Sequence, residues 1–294
     1  MANLSWFQII GLALGSGLTV KLLDIIYQEI QHWRSSRHTA TTFIDEHLEP
    51  LLKSADELNG KLRSLAESDF HAICNIGVDE FSTTHEFTSL LFLFGKFWAQ
   101  IEIMRHEGMS VAMAKDSRGA RLQHFFDCLE SRRVRIVDRI LQRAVGEVFV
   151  KHEKTIGFVE FVSAFENDDA TKKWVTPLAT FLARMEHTRE RQQLLQYGVV
   201  IHALIDNLDP DHLVTRERPS WSNKLSERSW GDLNYRVFGV YLKFVTNKQK
   251  FLGPPKKAAR KKRGGTHTQD FGTLGFGTSV GVPLYRRCLL GTHC

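Results

Sequence analysis

Charge is missing from the start of this chain: no Asp, Glu, Lys or Arg occurs before Lys21. Twenty helical residues at about 1.5 Å each span roughly 30 Å, the thickness of a bilayer's hydrocarbon layer. Cysteine is scarce as well. Cys74, Cys128, Cys288 and Cys294 form no CxxC pair, and four in 294 residues do not make a disulfide framework. HExxH, GxSxG, a Walker loop and GxGxxG are all absent, which removes the common metalloprotease, hydrolase, nucleotide and dinucleotide signatures. Ala2 excludes myristoylation, and Gly291, fourth from the end, excludes a prenylation box. The expectation is a protein without a cofactor or bound metal, and more a binding protein than an enzyme.

The uncharged opening reads as a membrane anchor. Trp6 sits near one end, with Tyr27 and Trp33 near the other, at the depths where amphipathic rings prefer to lie. Gly11 and Gly15 form a small-xxx-small pair and Gly17 follows. So many glycines weaken a helix in water, whereas in lipid they let two helix backbones approach. A secretory signal fits less well, because Lys21, Arg34 and Arg37 follow the apolar run instead of preceding it. That order places the N-terminus outside and the bulk of the chain in the cytoplasm.

Charge is unevenly distributed. Ten basic residues from Lys248 onward face Asp270 alone, so the net charge of +6 belongs to the tail and the first 247 residues sum to −3. Lys256, Lys257, Arg260, Lys261, Lys262 and Arg263 cluster in "GPPKKAARKKRGG". Beside a membrane such a cluster draws anionic lipids, by about 1 kcal/mol per basic residue. The Gly/Thr-rich stretch that follows has no periodicity and is expected to be disordered.

Between these ends the pattern is helical. Ile44, Leu48, Leu51, Leu52, Ala55, Leu58, Leu62 and Leu65 recur every three or four residues, with Thr42 as a candidate cap and Pro50 and Asn59-Gly60 as weak points. The apolar stripe of "FTSLLFLFGKFWAQIEIM", interrupted by Lys96, reads as a buried central helix capped at Thr83 or Thr84. A helix over 121–145 is expected to point Leu122, Phe125, Phe126, Leu129, Ile136, Val137 and Ile140 inward. Its other face carries Arg132, Arg135, Arg139 and Arg143, a solvated stripe or a dock for phosphates of lipid or nucleic acid. Further helices are read at 157–165, from a Thr176-Pro177 start, and over 191–208. Residues 234–251 read as a last helix or strand.

The fold class is therefore all-α: an anchor at 1–30, an antiparallel helical bundle at 31–250 and a basic, Gly-rich tail at 251–294. The leading functional expectation is a membrane-anchored scaffold or sensor acting through a protein partner or self-association. A second is an effector that oligomerises through its glycine-rich span and permeabilises a bilayer. The spacing of Arg118 and His124 resembles that of some helical ribonucleases, a resemblance confined to those two residues, and implies them as the weak catalytic candidates of a third. His202, Asp206, Asp209, Asp211 and His212 bring five potential metal ligands together, but in no zinc or calcium order. A helix end and polar turn accounts for them.

Overall fold

In the computed structural model, residues 18–254 are described apart from 75, 78–79, 82, 108–114 and 222–223, and several side chains between 18 and 37 are left out. Trp6, Gly11, Gly15 and Gly17, like the tail from Lys256 to Arg263, lie outside the described residues. What is described is mostly helical, with two short strands, Val150–Lys151 and Lys154–Thr155, forming a small antiparallel hairpin.

Helix α1 runs unbroken over Leu18–Glu67, so the boundary expected near residue 30 falls inside a helix. Thr42 does not cap it. Its hydroxyl donates to the His38 carbonyl one turn back, at 3.0 Å. Pro50 is inside the helix on its exposed side, where water can satisfy the carbonyl that proline leaves without a donor. Core contacts hold the helix across these weak points: Ile44, Leu51, Leu52, Ala55, Leu58, Leu62 and Leu65 are all buried. The helix ends where Asp69 and Phe70 take positive φ (53° and 63°) and the Phe70 amide donates to the Leu65 carbonyl at 2.7 Å.

Helix α2, His85–Glu107, begins just after Thr84 and is the centre of the body. It packs against α1 and against three later helices: α4 (Arg139–Val148), α5 (Phe158–Asn167) and α6 (Asp169–Ala183). Lys96 pairs with Glu57 at 2.7 Å and Glu86 pairs with Lys61, so α1 and α2 run in opposite directions. By length and composition α2 could cross a membrane, but most of it is buried in the body. Phe87, Leu90, Leu91, Phe94, Phe97 and Trp98 are covered, and each such side chain contributes roughly 1.5–3 kcal/mol. Close approach to α4 depends on Gly146, where a Cβ would come within 3.0 Å of the Trp98 backbone.

The expected helix over 121–145 is instead two. Helix α3 covers Ser117–Leu129, capped by Asp116, whose carboxylate accepts from the Arg118 and Gly119 amides. A turn over 130–138 follows, and Asp138 caps α4 by accepting from the Ile140 amide. The break reorients the chain, so Ile140 is 73% exposed instead of inward. Helix α6 starts at Asp169, seven residues before the expected Thr176-Pro177 start, because Asp168 caps it through the Ala170 and Thr171 amides. Pro177 is interior, and the Thr176 hydroxyl donates to the Lys172 carbonyl at 2.6 Å. Helix α7, Thr188–Leu208, ties to α2 through Trp98 Nε1 donating to the Tyr197 hydroxyl at 2.7 Å, both buried. The described residues close with α8 (Glu227–Gly231), a π-helical segment (Asp232–Val237) and α9 (Gln249–Leu252), in place of one last helix or strand over 234–251.

Candidate functional site

The second half of α7 carries buried polar groups. His202 and Asp206 lie one turn apart and both are buried. Lys250 on α9 forms an ion pair with Asp206, its Nζ 2.5 Å from Oδ2. His202 Nε2 and His212 Nε2 stand 3.7 Å and 3.6 Å from Asp206 Oδ1. From α1, Arg63 Nη2 donates to His202 Nδ1 at 3.1 Å. That contact makes Nδ1 the acceptor and leaves the ring proton on Nε2, facing Asp206. Burial, followed by the Arg63 and Lys250 charges, lowers the His202 pKa to about 3, so the ring is neutral.

This arrangement is a poor metal centre. Nε2 holds the proton a metal would displace, and a lysine already occupies the carboxylate. Among the described residues no group of three or more His, Cys, Asp or Glu is placed to hold an ion. Asp209 is a turn cap: it accepts from the Leu213, Val214 and Thr215 amides and from the Thr215 hydroxyl. Burial raises its pKa, but those bonds outweigh it and hold the carboxyl below the usual range.

Arg63 connects this cluster to the surface. Its Nη2 also donates to the Pro219 carbonyl at 2.5 Å, and its guanidinium lies over the Trp221 ring at 4.2 Å from the centroid. Trp221 is only 2% exposed and seats against Gly198 of α7, where a Cβ would meet the indole at 2.9 Å. Outside Trp221 an open cleft of about 320 Å³ is bordered by Arg63, Glu67, Ser220, Trp221 and Lys224. A second cavity of about 290 Å³, between Asp69, Arg191 and Gln192, shares Ala66 and Lys224 with the first. Burial and the neighbouring Arg218 lower the Arg63 pKa to about 10. Arg218 itself is balanced by Asp56 at 2.7 Å.

The arginines expected to share one helix face do not. Arg139 Nε and Arg143 Nη2 both reach Glu130 Oε2, at 2.8 and 2.9 Å, and Arg105 of α2 takes Oε1 at 2.5 Å. Arg135 pairs with Asp138 at 3.2 Å, while Arg132 is exposed in the turn. Glu130 is buried, which raises its pKa, yet Arg143 and Arg105 more than reverse that and hold it below the usual carboxylate range. Arg118 is held by Asp45 at 2.7 Å and by Asp116 at 3.4 Å. His124 is exposed, with its ring 5.7 Å from that of Phe244. No hydrogen bond joins Arg118 to His124 among the described residues. Of the two buried sets, the sequence pattern draws attention to His202, Asp206 and His212 and misses Arg63, Trp221, Lys224 and Lys250. Comparison of the chain with protein-family models, curated proteins and solved structures returns no match.

Proposed function

We propose that the chain is a single-pass membrane protein whose helical body works through protein contacts, as a scaffold or sensor. The observation that carries this reading is the form of α1. It starts at Leu18, before the first charged residue, and reaches the core as one helix. Every described side chain from Lys21 to Thr39 is exposed, and Ala40 is the first buried one. Ile25, Ile26 and Tyr27 are 65%, 46% and 61% exposed. A lone helix of this length gains little from its own hydrogen bonds and is marginal in water without a packed face. A bilayer above it and a partner helix along it supply that face.

Alkaline carbonate extraction of membranes from cells making the full chain tests the anchor. The chain is expected to stay in the pellet. Recovery in the carbonate supernatant overturns the reading.

A further inference from the structure

The cleft beside Trp221 has an electrostatic imbalance. Two cations border it, Arg63 and Lys224, and neither makes an ion pair among the described residues. Other partly covered arginines are balanced: Arg218 by Asp56, Arg105 by Glu102 and Glu130, Arg191 by Asp69. Arg63 is also fixed in place, by the Pro219 carbonyl, by His202 Nδ1 and by the Trp221 face beneath it. Those bonds use Nη2; Nη1 has no hydrogen-bond partner among the described residues, and Nε is buried without one. Glu67, the carboxylate on the rim, is exposed, and its single charge does not cancel two.

We propose that this cleft binds a phosphate-bearing organic molecule, with Arg63 and Lys224 gripping the phosphate. A phosphate monoester brings a charge near −2 and three acceptor oxygens, which match two cations with spare donors better than the single charge of a carboxylate. A fixed guanidinium has less freedom to lose on binding than a mobile one. The cleft of about 320 Å³ has room for an organic group beside the phosphate. The same chemistry reaches the cleft from two sources, a soluble phosphorylated metabolite or the headgroup of an anionic lipid. The inference is independent of the membrane anchor, since the cleft lies wholly within the described body.

The test is calorimetric titration of the full chain, purified in a neutral detergent, with inorganic pyrophosphate in one arm and dihexanoyl phosphatidic acid in the other. The basic tail also attracts anions, so the reading is the difference between the unaltered chain and two variants that keep the tail, Arg63→Met and Lys224→Met. The Lys224 side chain makes no described hydrogen bond or ion pair, and its backbone bonds to Gln192 and Trp221 survive substitution. Its variant therefore folds even where Arg63→Met does not, and circular dichroism checks both. At least a tenfold loss of affinity in Lys224→Met is expected. Loss in the pyrophosphate arm assigns a soluble phosphate, and loss confined to the lipid arm assigns a headgroup. Equal affinity in the variants and the unaltered chain, or binding in neither arm, overturns the proposal.

Discussion

Two partly buried arginine sites in this molecule solve the same problem in opposite ways. At Glu130 three guanidinium groups converge on one buried carboxylate, and Glu102 stands beside Arg105 as a second acid. Burial keeps the Glu102 pKa above the usual range despite Arg105. At Arg63 the partners are a carbonyl, a neutral imidazole and an aromatic face, with no carboxylate bound. At the first site every arginine is paired with a carboxylate, and the site borders neither of the two clefts described above. The second is left cationic and opens onto one. Balance marks a group that holds the fold, and imbalance beside an opening marks a group available to a ligand.

The largest expected effect comes from breaking the balanced site. Glu130→Ala leaves Arg105, Arg139 and Arg143 without their common acceptor. Removing one partner of a buried ion pair costs about 3–5 kcal/mol. The lower end applies here, because Arg139 and Arg143 are 55% and 36% exposed at the side chain and can turn to water. Urea unfolding should therefore show a loss of about 3 kcal/mol. A loss below about 1 kcal/mol, the level of a surface pair, would remove the contrast between the two sites.

A smaller effect separates the sites by pH. The His202 pKa is about 3 in the folded chain, well below the ordinary 6.5. The unfolded chain therefore binds this proton first as pH falls. The stabilisation is complete above pH 6.5 and is lost progressively from there down toward 3. The slope can reach about 1.4 kcal/mol per pH unit and no more. Glu130 and Asp209, whose pKa values are lowered, keep their contribution until pH falls below the ordinary carboxylate values near about 4. Glu102, whose pKa is raised, adds stability as pH falls and opposes His202 between about pH 6.5 and 4.5. The His202 share is therefore the difference between the unaltered chain and a variant that lacks the ring. His202→Asn keeps an acceptor for Arg63 but cannot titrate, so its stability should fall less over that interval. Identical slopes in the two proteins would mean that the ring beside Arg63 is not held neutral.

Much of the fold is legible in the residues alone, where large apolar side chains recur at helical spacing. The stripe from Ile44 to Leu65, the aromatic run of α2 and the stop of α7 before Asp209 are all visible in that way. The misreadings at Thr42, Pro50 and Pro177 share one cause: each residue carries a local preference worth a few kcal/mol at most, and packing on both sides overrides it. The break after Leu129 has the opposite origin. "ESRRVRIVD" contains no glycine or proline, and the chain turns there because Glu130 is drawn inward by arginines before and after it, while Asp138 caps the next helix. The cleft was hidden for a simpler reason. Arg63 and His202 are 139 residues apart, and no local pattern announces a contact made only when α1 lies along α7.

The smallest expected effect is the most telling for the comparison. Arg63→Met removes two hydrogen bonds and a cation–π contact, each worth roughly 1 kcal/mol. It also removes a cation that burial and Arg218 both disfavour, and an apolar side chain of similar length still covers Trp221. The opposing terms should leave stability within about 1 kcal/mol of the unaltered chain in phosphate-free buffer. Adding pyrophosphate should then widen the gap, because only the unaltered chain gains RT ln(1 + [L]/Kd) from the ligand. A loss matching that of Glu130→Ala in the absence of any anion would show that Arg63 is structural after all. The two arginine sites would then differ in partners but not in purpose.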